Sequence, residues 1–558
     1  MTLASAVNEN MHRRSYLILA IACGLMLGFA FPPSPFYSLA YLGLVPLLFL
    51  ITRIDTLGSL LRYTYFSMVL FHVVTLYWVG GFTHLRDQYL VITGFGLMLI
   101  HPLFYWIPVV GTWVILKRWG EQAALFIFPF LWVGFEYAHG LGEFSFPWLT
   151  LGNSQAYDLN RIQILEYTSV YGLSLLLAVF NVLSFILLRN LSERMWRILS
   201  GKSLSVIMSL LCLYLIPLVY GVMRQESFDA LDGDTTVAVG VVQPDIDPFE
   251  KWGEGYASEW ESYARQLTIL YEHTRTLSRD SLDMVVWPET AIPFYILLPQ
   301  NAEFYNQLKH EIDFAATPVF TGLPDGVYMD SSNATATAKW LPHAQRFFEG
   351  YNAATLFVPY ERHGPVYHKV VLVPFAERVP YAETFSFLID VVRWSVGLGS
   401  WGKGTDRIVY TLPTRNGPTV RFSGMICYEL VFPHYVRQFV RNGAQFLVVI
   451  SNDSWWGNTS GARQLAAYTS LRAVETRRWI VRCANGGISG IIDPAGRVYN
   501  ETDMYTRVAF SGALKALDEE TVYVHYGDIA GAGSAAIGLI GLAGAIIRKR
   551  RGREPDAS

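Results

Sequence analysis

Three short segments of this 558-residue chain end a strand-like run at a side chain able to do acid, base or nucleophilic chemistry. In DMVVWPET, Pro288 biases Trp287 toward extended backbone and presents Glu289 just past the strand end. In YHKVVLVPFAE, Lys369 lies within an extended run and Glu377 follows it. In FSGMICYEL, an apolar strand delivers Cys427, with Tyr428 and Glu429 directly behind it. A Glu, a Lys and a Cys converging on one pocket suit acyl chemistry. A free thiol has a pKa of about 8.5 and is mostly protonated at neutral pH, so a carboxylate base and a nearby ammonium would raise its nucleophilicity. Attack on an ester or amide carbonyl makes an oxyanion, which Lys369 and a backbone N–H after Cys427 would stabilise; losing one such donor costs about 3 to 4 kcal/mol. Taken singly the residues say little, because a Cys closing a strand is ordinarily a small buried hydrophobe and a lone Glu or Lys a solvated surface group.

The elements that must position them lie in residues 223–527. Thr236–Gln243, Asp283–Trp287, Pro318–Gly322, Ala353–Val358, Val366–Val373, Val420–Cys427 and Ala444–Ser451 read as strands. Glu259–Ser278, His434–Asn442 and Leu465–Arg478 read as helices, and Asp325–Gln345 as a polar insertion or mobile loop. Strands alternating with helices favour a layered α/β domain, and such sheets collect chemistry at the carboxyl ends of their strands. Cys483 competes with Cys427 but has no acid or base motif beside it, so it reads as structural. Asn452, Asp453 and Trp455 follow another strand end, and chain position alone assigns them no role.

The rest of the chain calls for a different solvent. Only 16% of residues are charged against 52% hydrophobic, and 9 of the 46 acidic residues precede residue 223. Apolar runs near the length that crosses a hydrocarbon core occur at Ser15–Phe31, Ser38–Thr52, Leu60–Phe82, Tyr89–Leu116, Ala123–His139, Thr168–Leu188, Ser203–Val222 and Asp528–Ile547. The second is the shortest, and Pro102 and Pro108 predict a kink in the fourth. Arg13/Arg14, Arg53/Arg62, Lys117/Arg118, Arg189/Arg194/Arg197/Lys202 and the basic tail after Ile547 all fall on one side if the N-terminus is cytoplasmic, which places residues 223–527 outside. Glu136, His72 and His101 fall inside apolar runs, where pairing with one another's kind of polar group or with backbone is the expected reading. The net charge of -3 and the lack of a long basic stretch other than the tail argue against a nucleic-acid footprint. The four cysteines, Cys23, Cys212, Cys427 and Cys483, have neither metal-ligand nor paired spacing.

The segments VVQPDIDPFEKW, WPETA, YHKVVLVPFAERVP, MICYE, SNDSWWG and ANGGISGIIDPAGR, with GFAFPP and FPWLTLGNSQ nearer the N-terminus, together resemble the apolipoprotein N-acyltransferases of bacterial envelopes. The outer domain of that family belongs to the nitrilase (carbon-nitrogen hydrolase) superfamily. The resemblance implies a multi-pass α-helical membrane protein of about eight transmembrane helices carrying an αββα sandwich. Residues 1–222 would form the membrane domain, 223–527 the catalytic domain, and 528–558 a closing span and tail. It implies Glu289 as base, Lys369 as oxyanion support and Cys427 as nucleophile, with Trp252, Glu377, Tyr428 and Glu429 supporting. A phospholipid, commonly phosphatidylethanolamine, would acylate Cys427. The α-amino group of an S-diacylglyceryl-cysteine on an apolipoprotein would then accept the chain, with no cofactor, in an inner-membrane enzyme working as a monomer. Ala376 stands where the family more often has Gly, which bears on the local turn.

Two apolar stretches flank the proposed chemistry: AIPFYILLP after Glu289, and the run containing Phe385, Phe387, Leu388, Ile389, Val391, Val392, Trp394 and Trp401. On an outward-facing domain they would dip into the leaflet as lids; the other reading makes them core. A membrane-tethered amidase using the same triad, with water as acceptor, is one alternative to acyl transfer, and a transporter or receptor with an outer sensory domain is another.

Overall fold

The computed structural model describes residues 3–80, 88–193, 201–229, 235–248, 250–251, 262–278, 281–384 and 401–547. Among these, six helical stretches are long and apolar enough to cross a membrane: Arg13–Ala30, Leu57–Gly80, Val91–Trp119, Arg161–Leu191, Ser203–Phe228 and Ile529–Ile547. Pro102 acts as expected: the helix Gln88–Ile100 gives way to a 3-10 turn, His101–Tyr105, before Trp106–Trp119 resumes, because proline cannot donate to the preceding turn. The Ser38–Thr52 run is the least regular of the apolar runs: a 3-10 turn, Tyr37–Tyr41, leads into the nine-residue helix Val45–Arg53, and the Arg53 carbonyl accepts from the Tyr16 hydroxyl at the N-terminal end of the first span. Its burial against other helices explains its apolarity. The fifth run becomes Glu121–His139, nineteen residues with Pro129 inside. Gly134 lets this helix touch Ile529–Ile547, since a Cβ there would lie 2.7 Å from the Ala535 backbone. Glu136 and the histidines in these helices have partners. Glu136 accepts from Trp132 Nε1 and from the Leu151 amide, both at 2.9 Å, and His72, His101 and His139 join ring to ring at 2.6 and 2.7 Å.

Thirteen strands are seen among the described residues: β1 (Thr235–Gln243), β2 (Met284–Val286), β3 (Val319–Met329), β4 (Lys339–Leu341), β5 (Arg346–Phe357), β6 (Tyr367–His368), β7 (Tyr410–Leu412), β8 (Val420–Ile426), β9 (Phe446–Ser451), β10 (Ile480–Ala484), β11 (Gly490–Ile492), β12 (Val498–Tyr499) and β13 (Val508–Ala516). One sheet runs β13-β1-β2-β3-β5-β4 with β6 added to β5; the other runs β12-β11-β10-β9-β8-β7. Strands β1, β2 and β3 are parallel, as are β8, β9 and β10. The alternation of side chains along a strand decides the layers. Val237, Val239 and Val241 of β1 face the second sheet and share a core with Phe422, Met425 and Val448, whereas Val242 packs on Leu267 and Leu270 of the helix Tyr263–Leu277. Phe320 bridges the two sheets, its ring 5.4 Å from those of both Tyr410 and Phe422. The result is the expected αββα sandwich.

Two segments differ in detail from their sequence reading. The polar segment 325–345 is partly strand: β3 runs on to Met329, paired with β5 from Val319↔Phe357 to Met329↔Phe347, and β4 also pairs with β5, with turns between. Val366–Val373 is no full strand. Only Tyr367 and His368 pair with β5, after which the amides of Val370 and Val371 donate to Glu429 Oε1 at 2.7 and 3.1 Å instead of to a ladder.

The sandwich sits on the apolar helices through the helix Ser460–Thr476. Gln464 uses its whole carboxamide there. Its Oε1 accepts from the indoles of Trp78 and Trp148 at 3.0 and 2.8 Å, and its Nε2 donates to the carbonyls of Pro32 and Thr75 at 2.9 and 3.0 Å. Arg477 reaches Glu166 at 2.9 Å and Gln163 at 2.6 Å. Replacing Gln464 by Ala leaves the Trp148 indole and the Pro32 carbonyl buried without partners, at about 1–3 kcal/mol each. The Gln464→Ala protein should therefore unfold at lower temperature in a detergent melt, and an unchanged midpoint would contradict this account of the seam.

Candidate active site

Cys427 stands at the carboxyl end of β8, where the backbone turns through φ +53° into the short 3-10 helix Cys427–Val431. A non-glycine residue in that region is strained by about 1–3 kcal/mol, so the surroundings must hold it. Glu429 does so. Its Oε2 accepts from the Ile426 amide at 2.8 Å and the Tyr367 hydroxyl at 2.6 Å, while Oε1 takes the amides of Val370 and Val371. One buried carboxylate thus fixes the cysteine turn and the segment carrying Lys369 relative to each other.

Glu289 follows β2 in the turn Pro288–Thr290, whose backbone rests on β3. At Gly322 a Cβ would fall 2.5 Å from the Thr290 nitrogen and 2.8 Å from Glu289 Cα, so only glycine admits the turn at this depth. Lys369 enters from the other side, its amide donating to the Asn352 carbonyl at 2.8 Å. Its Nζ lies 2.8 Å from Glu377 Oε1 and 3.4 Å from Glu289 Oε1, with the side chain 1% exposed. Glu377 is braced in turn by the Val373 amide at 2.8 Å. The left-handed position in this turn is Phe375, at φ +62°, so Ala376 carries no such strain.

The charges set the chemistry of the cluster. Burial opposes a cation at Lys369, but the carboxylates of Glu377 and Glu289 outweigh it and hold the ammonium above its ordinary pKa. Burial pushes Glu289 upward, with Lys369 pulling the other way. Burial also pushes the Cys427 thiol up; Glu289 adds to that and Lys369 opposes it. With Lys369 charged throughout, moving a proton from the thiol to Glu289 leaves the net charge of the site unchanged. Glu289, Lys369, Cys427, Glu377 and Glu429 are therefore brought together. Tyr428 donates its hydroxyl to the Ser145 carbonyl at 3.0 Å with its ring stacked beside Trp148, and it stays within electrostatic reach of Lys369 and Glu377. Trp252 and residues 385–394 lie outside the described residues.

Two neighbours had no sequence reading. Asn352 of β5 donates from Nδ2 to Glu289 Oε1 at 2.7 Å and to Glu377 Oε1 at 3.2 Å, keeping the two carboxylates apart. Lys251 is buried with Nζ 3.4 Å from the Glu289 carbonyl and 3.3 Å from Thr290 Oγ1, and burial lowers its pKa to about 7. Its place in PDIDPFEKW was the available signal; Asn352 had none beyond being polar amid an apolar strand. Asp453 braces β9 against β10, accepting from Ser451 at 2.5 Å and from Arg482 at 2.6 Å, and Asn452 accepts from Asn485 at 3.2 Å. Cys483 donates to the carbonyls of Val242 and Val286 at 3.2 and 3.4 Å, consistent with a structural role. The AIPFYILLP stretch is core and no lid: Ala291, Ile292, Phe294, Ile296 and Leu298 are buried against Leu308 and Ile312.

A two-sheet sandwich with helices outside, seated on long apolar helices, is the build of a membrane-borne carbon-nitrogen hydrolase domain, and residues 238–510 match the carbon-nitrogen hydrolase family. Residues 23–183 match the apolipoprotein N-acyltransferase N-terminal domain. The chain is 36% identical over 540 residues to the apolipoprotein N-acyltransferase of Chlorobaculum tepidum, covering 95% of this chain and 97% of that one. It is 31% identical over 526 residues to the one from Geobacter metallireducens, covering 93% and 92%. The chain belongs to the apolipoprotein N-acyltransferase family, and it is a membrane protein.

The Glu429 arrangement makes a specific demand. In Glu429→Gln one oxygen becomes an NH2 that must face amide or hydroxyl donors, leaving at least one of them unpaired at about 1–3 kcal/mol. Lower thermal stability and a loss of activity are both expected, and a variant matching the parent in both would remove the positioning role.

Proposed function

We propose that this protein transfers an acyl chain from a phospholipid, phosphatidylethanolamine foremost, to the α-amino group of the S-diacylglyceryl-cysteine that begins an apolipoprotein. The observation that carries this reading is Lys369, held between Glu289 and Glu377 within electrostatic reach of the Cys427 thiol. In the first half-reaction Cys427 Sγ attacks the ester carbonyl as Glu289 takes its proton. The oxyanion is stabilised by Lys369 and a backbone N–H following Cys427. Collapse breaks the ester C–O bond, the departing lysophospholipid oxygen receives the proton from Glu289, and a thioester remains. In the second, the acceptor amine attacks the thioester, Glu289 takes a proton from nitrogen and returns it to the departing sulfur, and an amide is formed. Every step is redox-neutral, so the cycle balances without a cofactor.

Residues 1–222 form the membrane part in this reading, 223–527 the catalytic part and 528–558 the closing span and tail. The distribution of Lys and Arg supports both termini in the cytoplasm and the catalytic part on the periplasmic side of the inner membrane. In this reading the protein works as a monomer. Hydrolysis by the same triad remains the competing outcome.

Mass spectrometry of the protein incubated with phosphatidylethanolamine alone should show an acyl mass on the peptide containing Cys427, discharged by a diacylglyceryl-cysteine peptide. Free fatty acid without a lasting adduct would favour hydrolysis. Cys427→Ala should fold and form no adduct, and Lys369→Met should slow acylation about 10²–10³-fold. The pH dependence follows from Glu289. Its carboxylate must be ionised to accept the proton, and its pKa is raised, so the acylation rate should climb with pH through a midpoint above the ordinary carboxylate range. A rate already at plateau at the pKa of an ordinary glutamate would overturn its assignment as base.

A further inference from the structure

Beside the triad lies a separate cavity of about 210 Å³, bounded by Glu143 and Ser145 on one wall and by Val370, Val371, Arg378, Lys403 and Arg407 on the other. It is too small for a whole lipid and suited to part of a head group, since sites for drug-sized ligands begin near about 300 Å³. Its walls are chain neighbours of the chemistry. Val370 and Val371 follow Lys369, Arg378 follows Glu377, and the Ser145 carbonyl takes the hydroxyl of Tyr428, next to Cys427.

Its charge is unbalanced. Lys403 pairs with Glu143 at 3.0 Å; Arg378 pairs with Glu383 and donates from Nη1 to Thr337 Oγ1 at 2.8 Å and to the Trp401 carbonyl at 3.0 Å. Arg407 lies 4.8 Å over the Tyr435 ring, and its one hydrogen bond among the described residues is a long one, 3.5 Å to the Thr405 carbonyl. The Nε atoms of Arg378 and Arg407 are both buried without an acceptor among the described residues, and Arg378 is itself only 5% exposed. His434, on the same cavity, is pushed down to about 4 by burial and by Arg407, Arg472 and Arg437, so it adds no charge at neutral pH. Arg407 therefore leaves one guanidinium on the cavity with no carboxylate partner among the described residues, a charge that an oxyanion would balance.

We propose that this cavity is the subsite for the phosphodiester of the acyl donor, with Arg407 as its ligand. The inference rests on the acyl-transfer reading and extends it. Of the two substrates, only the donor carries a phosphate, so the subsite acts in the first half-reaction and separates donor from acceptor.

The test compares single-turnover acylation of Cys427 by phosphatidylethanolamine and by a monoacylglycerol of the same chain, in the full-length protein and in Arg407→Gln. Arg407 is partly exposed and bonded to little else, so folding should survive; a thermal melt checks this, and Arg407→Lys should recover part of the loss. The ratio of phospholipid to monoacylglycerol rates should fall about tenfold or more in Arg407→Gln, the equivalent of about 1.4 kcal/mol. Discharge of the preformed adduct by a diacylglyceryl-cysteine peptide should keep its parent rate. Equal loss with both donors would make Arg407 structural and overturn the subsite. Inorganic phosphate at matched ionic strength separates the sources: if it saturates the site at concentrations where the lipid still fails to discriminate, the cavity binds free phosphate and the proposal falls. No adduct with either donor in the parent protein would remove the acyl-transfer reading itself, and the subsite with it.

Discussion

A buried ammonium next to a neutral thiol is tolerable only if carboxylates offset its lost hydration, and most of the architecture around Lys369 serves that constraint. The side chain is 1% exposed, and removing such a cation from water without compensation costs several kcal/mol. Glu377 and Glu289 supply the compensation, but two carboxylates in one dry site repel each other. Asn352 relieves this by donating to both. The cluster is thus a set of mutually dependent charges, and removing any one leaves the others unbalanced.

Holding that set in place requires three strand ends to be fixed within a fraction of an ångström. β2 contributes Glu289, the segment after β6 contributes Lys369, and β8 contributes Cys427. They belong to two sheets whose relative position depends on side-chain packing such as Phe320 against Tyr410 and Phe422. Packing alone does not lock a turn, and this is where Glu429 acts. It satisfies amides on both sides of the gap between the sheets, replacing backbone pairing with a side-chain clasp. The left-handed Cys427 persists because that clasp leaves it no alternative.

The residues at strand ends were legible in the sequence, because an apolar run meeting Pro288-Glu289 or Cys427 is a local pattern. The layered α/β organisation and the apolar helices were legible for the same reason. What was not legible depends on partners distant along the chain. The segment 366–373 has every local mark of a strand, yet Glu429, 59 residues beyond Val370, captures its amides. AIPFYILLP has the composition of a lipid-facing lid, yet it fills the space between the first sheet and Leu308 and Ile312; hydrophobicity states that a segment leaves water and not where it goes. Asn352 looked like an ordinary polar residue because nothing nearby in sequence indicates the two carboxylates it faces.

Burial of Cys427 appears at first to work against the chemistry, since desolvation raises the thiol pKa and shrinks the thiolate population. For acyl transfer by the proposed route the same burial is useful twice. The proton shift from thiol to Glu289 creates no new net charge, so a dry site does not penalise it as it would a lone thiolate. The thioester that follows must also outlast the departure of one lipid and the arrival of another, and water is the competitor it must avoid. A hydrolase needs water at the sulfur's acyl carbon, whereas a transferase must exclude it. On the proposed route, Cys427, 7% exposed at the end of β8 and its following turn, suits the second task better than the first. The cost in thiolate population is then the condition for keeping the acyl group until an amine arrives.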